Sequence, residues 1–245
     1  MTKIAVVTGS SYGLGNEMSK QLLAKQFKVY GISRTQSSIK SPQFIWLKAD
    51  LTNLLDIKVI AKQIKETKID VLVNNAGTAF EKLALDFTDE DFEKMFNLNF
   101  KSPIRLTKAL FPKLLNGLII NISSLSDRYP DPLYGLYGSS KAALNIYFET
   151  IAAENKDVKV VNVLPSYINT PLQHKVRGGH KEFDWNITMQ SNQVAEVIPK
   201  IIANDKKIDS GTRIIVISDT LASEVKNPEK LMVFNINNKK LNKAK

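Results

Sequence analysis

The segment LYGLYGSSKAAL at residues 133–144 contains a tyrosine and a lysine that are four positions apart, Tyr137 and Lys141. Residues with this spacing lie on one face of a helix, so the two side chains project into one site. A nearby cation lowers the pKa of a phenol, which would make Tyr137 a general acid or base that Lys141 tunes. Tyr134 stands two turns from Lys141, close behind two prolines, and is predicted to pack or to form a pocket wall. Taken singly, Tyr137 also fits a packed aromatic and Lys141 a solvated lysine, so the assignment depends on the rest of the chain.

A second candidate functional motif is the segment TGSSYGLGNEM at residues 8–18. Gly9, Gly13 and Gly15 follow an apolar run and open a helical pattern. Glycines let the backbone approach phosphates, and the helix N-terminus supplies free N–H groups and a positive dipole. The turn therefore predicts a dinucleotide pyrophosphate site, with simple turn formation as the alternative. The spacing is G-x-x-x-G-x-G, rather than the G-x-G-x-x-G of most dinucleotide folds.

The elements that must position these residues alternate along the chain. Seven apolar runs are strand candidates, at residues 4–8, 28–32, 44–49, 70–74, 118–123, 158–164 and 213–218. Leu14, Met18 and Leu22 recur on one helix face between the first two runs. Strands that are apolar at nearly every position are buried on both faces, as in a parallel sheet covered by helices. We therefore expect a single α/β domain over residues 1–245, a doubly wound, Rossmann-type, mostly parallel seven-stranded sheet with helices on both faces.

Composition excludes several classes of site. The chain of 245 residues has no cysteine and two histidines, His174 and His180, so no metal site is predicted. No apolar run approaches the length needed to span a membrane, and no signal-peptide pattern is evident at the N-terminus. These features predict a cytoplasmic protein that binds no membrane.

The net charge of +10 raises the question of an acidic partner. Half of it lies in residues 225–245, which contain six lysines and a single acidic residue, Glu229. We interpret this stretch as a basic, solvated and flexible C-terminal tail, and we expect no nucleic acid partner. RNA binding through the tail is the alternative.

The glycine spacing, with Thr8 in front, resembles that of the short-chain dehydrogenase/reductase family. Further motifs of the family occur in order over residues 8–141: Asp50 after the third strand, Asn74-Asn75-Ala76-Gly77 after the fourth, Asn99 in a helix, Ser124 after the fifth, then Tyr137 and Lys141. The resemblance covers about residues 1–218. Two departures are Ser166, where the family usually has glycine after Pro165, and SDTLAS in place of a glycine-rich segment after the seventh strand.

The resemblance implies an oxidoreductase in which Ser124, Tyr137, Lys141 and Asn99 form the catalytic set. Ser124 would stabilise the charge that develops on the substrate oxygen, and Lys141 would also hold the nicotinamide ribose. The residues expected to bind the cofactor are Gly9, Ser11, Tyr12, Gly13, Leu14, Gly15, Ser33, Arg34, Asp50, Leu51, Asn75, Ala76, Gly77, Tyr137, Lys141, Pro165, Ile168 and Thr170.

Asn99 precedes Pro103 by four residues, and proline cannot donate to the carbonyl of Asn99. If the helix continues, that carbonyl is freed at a kink, where the family uses a water to relay protons to the lysine. The alternative is that Pro103 starts a new helix.

The end of the second strand predicts which cofactor is preferred. Ser33-Arg34-Thr35 stands where an acidic residue would accept hydrogen bonds from the ribose 2′-OH of NAD(H). Arg34 can instead bind a 2′-phosphate with its planar fork of donors, and Ser33 and Thr35 can add hydroxyl bonds. We expect NADP(H) to be preferred, with NAD(H) possible. The alternative is an arginine that only lies along the surface.

Residues 166–190 interrupt the α/β alternation after the sixth strand and form the predicted substrate loop. Gly178-Gly179 could be a hinge, and Phe183 and Trp185 could close over an apolar group. Three cations in this loop, Lys175, Arg177 and Lys181, could meet an anionic substrate, but we favour a solvated loop.

These expectations define a carbonyl or secondary alcohol as the small-molecule substrate. The alternative function is a non-catalytic nucleotide-binding sensor, or an RNA-interacting protein, on the same fold. The segment 142–148, AALNIYF, is apolar around most of a helix and predicts a homodimer or homotetramer.

Overall fold

The computed structural model describes residues 2–179, 181–222 and 231–243. The strands are β1 (Ile4–Thr8), β2 (Lys28–Ser33), β3 (Phe44–Lys48), β4 (Val71–Asn74), β5 (Gly117–Ile122), β6 (Val158–Pro165), β7 (Ile168–Asn169), β8 (Met189–Gln190), β9 (Thr212–Ile217), β10 (Leu231–Asn235) and β11 (Lys240–Lys243). The helices are α1 (Gly13–Ala24), α2 (Leu54–Gln63), α3 (Asp89–Phe96), α4 (Ser102–Leu110), α5 (Gly135–Glu154), α6 (Pro171–Arg177), α7 (Ser191–Ala195), α8 (Val197–Ala203) and α9 (Asp219–Ala222).

Nine of these strands form one sheet in the order β11-β10-β9-β6-β5-β4-β1-β2-β3. All neighbours in it are parallel except β10 and β11. The strand order reverses between β1 and β4, which is the point where doubly wound sheets bind ligands. The Rossmann-like architecture is therefore confirmed.

The expected number of strands was wrong, because the sheet has nine rather than seven. The seven predicted strands recur as β1 to β6 and β9, and the two additional ones come from the segment that we expected to be a flexible tail. In β10, Phe234 is fully buried in the core on one face of the sheet, while Val233 packs against the other face. The six lysines of residues 225–245 led us to interpret the whole segment as solvated, although it contains the short apolar strand β10. Residues 225–230, 244 and 245 of the expected tail lie outside the described part of the chain.

The two faces of the sheet are covered by different helices. One core contains the predicted face of α1, Leu14, Met18 and Leu22, together with residues of α7 and α8. The opposite core contains apolar residues of α2, α4 and α5. Burial on both faces explains why the central strands are apolar at almost every position.

Buried side-chain amides link the central strands β4, β5 and β6 towards their carboxyl ends. Asn74, Asn121 and Asn162 are register partners on β4, β5 and β6. The side-chain amide of Asn74 donates to Asn121 at 2.9 Å, and that of Asn121 donates to Asn162 at 2.8 Å. These hydrogen bonds help to fix the relative heights of the strand ends from which the site residues emerge.

Candidate active site

A cleft of about 1030 Å³ opens at the carboxyl ends of the strands. It is lined by every residue that we predicted to bind the cofactor, and by Ser124. Asn99 is the exception among the predicted site residues, because it is 1% exposed and lies behind the cleft surface. Residues that are distant in the sequence thus share one surface.

The glycine loop passes close to the loop that follows β4. Gly9 has a φ of +68°, and a Cβ there would lie 2.8 Å from Nδ2 of Asn75. A Cβ on Gly15 would lie 2.3 Å from the carbonyl oxygen of Gly9. The first position needs glycine for its left-handed backbone and for space, and the second needs it for space alone.

The N-terminus of α1 is suited to an anion. Its N-cap, Tyr12, makes no capping hydrogen bond with its side chain, and the first turn contains no acidic residue. The first N–H groups of the helix are therefore available to phosphate oxygens. Together with the glycine backbone, this fits the pyrophosphate of a dinucleotide.

Thr8 joins the two loops, a role that the sequence reasoning did not assign. Its hydroxyl accepts hydrogen bonds from the backbone N–H groups of Asn75 at 2.8 Å and Ala76 at 2.9 Å. In return, Nδ2 of Asn75 donates to the carbonyl of Thr8 at 2.8 Å. The threonine before the first glycine of the loop was the available signal.

Tyr137 and Lys141 lie on the first turns of α5, as predicted, and both face the cleft. Nζ of Lys141 donates to the carbonyl of Ile122 at 2.8 Å and lies 5.7 Å from the centroid of the Tyr137 ring. Tyr134 precedes the helix as its N-cap, is buried, and lines the cleft, which agrees with its predicted place in the pocket wall.

Burial is the largest influence on the pKa values of Lys141 and Tyr137. Burial lowers the pKa of Lys141 from 10.5 to about 8. Burial also raises the pKa of Tyr137, against the opposing effect of a hydrogen bond with Ser124. The expectation that Lys141 lowers this phenol's pKa is therefore wrong for this structure. Its ammonium is held by the Ile122 carbonyl, and its charge does not offset the loss of hydration of the phenol.

Ser124 follows β5 in an extended backbone conformation and stands beside Tyr137. Its hydroxyl accepts a hydrogen bond from the backbone N–H of Ser126 at 3.2 Å. Two hydroxyl groups from different elements are thus presented to the same part of the cleft. Such a pair can bind one substrate oxygen from two sides.

Asn99 lies in a π-helical turn, Asn97–Lys101, between α3 and α4. The helical backbone continues into α4 through Pro103, so the alternative of a separate helix starting at this proline is wrong. The amide of Asn99 accepts from the N–H of Thr78 at 2.8 Å, and donates to the carbonyl of Thr78 at 2.9 Å and to Ser140 at 3.0 Å. Asn99 therefore fastens the loop after β4 to α5.

At the end of β2, Arg34 is exposed and lines the cleft. Burial tends to raise the pKa of Asp50, but hydrogen bonds from Thr52 and the charge of Arg34 outweigh it and lower the pKa. The hydroxyl of Ser33 donates to the carbonyl of Thr35 at 2.8 Å. The expected bond from Ser33 to a phosphate is therefore not favoured, because its proton already has an acceptor.

The substrate loop is packed rather than solvated near the cleft. The Phe183 ring lies 5.5 Å from that of Tyr167 and 5.0 Å from that of Trp185, between centroids. The Trp185 ring stacks on His174 at 4.1 Å. Arg177 is also partly buried, so the solvated interpretation is wrong for this residue, whereas Lys181 is exposed.

Within the described ranges, no group of three or more His, Cys, Asp or Glu side chains is arranged to hold a metal ion. The same residues include no helix with the length and apolarity required to cross a membrane.

Comparison with known proteins agrees with this site. The family model described as short chain dehydrogenase matches residues 3–181. The chain is 32% identical over 194 residues to very-long-chain 3-oxoacyl-CoA reductase-B of Danio rerio, covering 71% of this chain and 62% of that protein. It is 33% identical over 190 residues to an uncharacterized oxidoreductase of Saccharomyces cerevisiae, covering 72% and 75%.

The fold is similar to that of a short chain dehydrogenase family protein from Francisella tularensis, with a TM-score of 0.79 and 25% identity over 88% of this chain and 97% of that one. The match to the family model and the resemblance of the site point the same way. The chain belongs to the short-chain dehydrogenase/reductase family, and it spans less than two thirds of the length of the zebrafish reductase. The family uses nicotinamide cofactors.

Proposed function

We propose that the protein is an NADP(H)-dependent oxidoreductase that transfers hydride between the nicotinamide and a carbonyl or secondary alcohol substrate. Tyr137 acts as general acid in reduction and as general base in oxidation. The observation that carries this proposal is the convergence of Ser124, Tyr137 and the buried Lys141 in a cleft that also contains the glycine loop.

In this mechanism a nicotinamide held by the glycine loop and by Lys141 would supply or accept the hydride. Ser124 and Tyr137 hold the substrate oxygen between their hydroxyl groups, and the Tyr137 hydroxyl donates the proton as negative charge develops there. Lys141 positions the cofactor ribose and helps to return a proton to Tyr137. Asn99 acts behind them, because its amide keeps the loop after β4 in place against α5.

The preference for NADP(H) is supported by Arg34, which is exposed on the cleft at the end of β2. An arginine there can pair with a 2′-phosphate, and the strand ends without an acidic side chain that would repel it. Asp50 would bind the adenine.

We also propose that the protein forms a homodimer or homotetramer through the outer face of α5. On this face Ile146 is 60% and Tyr147 42% exposed. The ring of Tyr147 continues a row of aromatic contacts through Phe100, Phe96 and Phe92, with centroid separations of 5.8, 6.2 and 4.3 Å. A second copy would remove this apolar surface from water. The absence of cysteine supports a cytoplasmic location.

A non-catalytic sensor is disfavoured, because binding a dinucleotide requires neither the serine and tyrosine hydroxyls at one point nor the burial of a lysine. The proposed reaction is tested by following loss of reduced-nicotinamide absorbance with a panel of ketones and aldehydes. A 3-oxoacyl-CoA belongs in the panel because of the zebrafish relative. We expect turnover with NADPH for at least one compound. Cofactor binding without turnover of any panel member, in either direction, would support the sensor.

A further inference from the structure

Arg177 connects two loops at the mouth of the cleft. It is the last residue of α6, in the substrate loop, and its Nη2 lies 2.6 Å from Oδ2 of Asp131. Asp131 belongs to the segment between β5 and α5, and both residues line the cleft. The exposed fractions of the two side chains are 17% and 27%, so the ion pair is largely shielded from water. Shielding makes such a pair stronger than one at an open surface.

Three aromatic rings surround the guanidinium of Arg177. Its central carbon lies 4.5 Å from the ring centroid of Tyr134, 5.0 Å from that of Phe183 and 5.4 Å from that of Tyr167. A guanidinium is planar and weakly hydrated, so it stacks on aromatic faces more readily than an ammonium does. Phe183 and Tyr167 belong to the substrate loop, whereas Tyr134 belongs to the wall of the pocket. The arginine therefore holds these two parts of the site together.

Tyr134 is also held by residues of the segment between β4 and α3. Its hydroxyl donates to Oε1 of Glu81 at 2.7 Å, and the N–H of Lys82 donates to the carbonyl of Leu133 at 2.9 Å. The ring of Tyr134 also makes an edge-to-face contact with the ring of Tyr137, with 6.3 Å between the two centroids. A continuous set of contacts thus leads from the substrate loop through Tyr134 to the candidate catalytic tyrosine.

We propose that Arg177 is a positioning residue that holds the substrate loop closed against Tyr134 and Asp131, and so shapes the substrate end of the cleft. The arginine acts through its neighbours and does not bind the substrate. Because Asp131 already neutralises its charge, Arg177 does not itself favour an anionic substrate. The kinetic consequences rest on the proposed function, whereas the closure itself does not.

Closure can be measured without turnover, because the chain has two tryptophans and Trp185 lies in the substrate loop. In a Trp46→Phe background, the quenching of Trp185 fluorescence by acrylamide reports exposure of the loop. We expect Arg177→Met to raise the quenching constant at least about twofold, since loss of the cation releases Phe183 and, with it, Trp185. Lys181→Met removes the same charge from an exposed site of the same loop and should leave quenching unchanged. Circular dichroism checks that each variant is folded.

Kinetics then test the consequence for substrate binding. Arg177→Met should raise KM for an uncharged carbonyl substrate at least about tenfold, with kcat and KM for NADPH within about threefold of wild type. Asp131→Asn should also raise KM for the carbonyl substrate. The double variant should be little worse than Arg177→Met alone, because both changes break one contact. Arg177→Lys should rescue only in part, since an ammonium cannot reproduce the stacking.

Three results would overturn the proposal. Unchanged quenching in Arg177→Met would show that the arginine does not hold the loop. A rise in KM confined to anionic substrates such as acyl-CoA thioesters would make it a substrate-binding residue. Equal effects of Arg177→Met and Lys181→Met would show that only the net charge of the loop matters and that Arg177 has no specific positioning role. If wild-type protein reduces no carbonyl compound, the proposed function fails while the quenching comparison still decides whether Arg177 closes the loop.

Discussion

Replacement of Lys141 by methionine should stabilise the protein while it removes activity. The difference between a pKa of 10.5 and one of about 8 corresponds to about 3 kcal/mol of unfavourable burial of the ammonium. Methionine avoids this cost but leaves the Ile122 carbonyl without the donor that now lies at 2.8 Å, a loss of about 1–3 kcal/mol. The free energy of unfolding at pH 7 should therefore rise by about 1 kcal/mol in Lys141→Met.

The dependence on pH separates this explanation from a simple packing effect. Between pH 8 and 10.5 the unfolded chain binds more protons at this lysine than the folded protein does, so stability rises with pH across that window. Wild type should gain about 1 kcal/mol between pH 7 and pH 9 relative to Lys141→Met. Below pH 8 the burial cost is present in full.

The assay is urea unfolding of the cofactor-free protein at several pH values, followed by circular dichroism. Lys181→Met is the matched control, because this lysine is exposed and its removal should leave the pH dependence of wild type unchanged. A stability difference between wild type and Lys141→Met that is constant from pH 7 to pH 9 would refute the reasoning. It would mean that Lys141 keeps an ordinary pKa in the folded protein.

Three further predictions concern the cofactor, the glycine loop and assembly. Arg34→Ala should raise KM for NADPH at least about tenfold and barely alter KM for NADH, because one charge-assisted contact contributes about 1.5–3 kcal/mol; equal efficiency of wild type with both cofactors would contradict the assignment. Gly9→Ala should lower the melting temperature by several degrees or more, since the left-handed backbone alone costs about 1–2 kcal/mol and the new Cβ would lie 2.8 Å from Nδ2 of Asn75. Light scattering at micromolar concentration should give the mass of a dimer or tetramer, and Tyr147→Glu, on the exposed face of α5, should shift it towards the monomer. A wild-type monomer would exclude the proposed interface.

The central fold was predictable because burial on both faces leaves a simple pattern in the sequence. Each predicted strand is apolar at most of its positions, and the matching helices repeat apolar residues at a spacing of four, as in the face of Leu14, Met18 and Leu22 in α1. The strand β10 was missed because its apolar residues lie in a segment dominated by lysine. The net charge of residues 225–245 describes 21 residues together, whereas a strand needs only about five residues. A short apolar strand therefore does not show in the charge of the whole segment.

The candidate site was predictable where its residues are close in the sequence or belong to a known motif. Tyr137 and Lys141 are related by helical spacing alone. The ion pair of Arg177 and Asp131 was not predictable, because its members are 46 positions apart and come from loops after different strands. Local sequence does not determine which loops meet. The pKa of Tyr137 was misjudged for a related reason, since burial depends on the whole fold and spacing reports only the nearest charge.

The measurement that tests the central claim most directly compares the two tyrosines of the segment at residues 133–144. Tyr137→Phe removes the proposed proton donor, so kcat should fall at least about 100-fold while NADPH affinity, measured by fluorescence titration, stays within about twofold. Tyr134→Phe keeps the ring that contacts Arg177 and removes only the hydrogen bond to Glu81, so the rate should change by less than about tenfold. Equal losses of activity in the two variants would contradict the assignment of Tyr137 as the general acid and base.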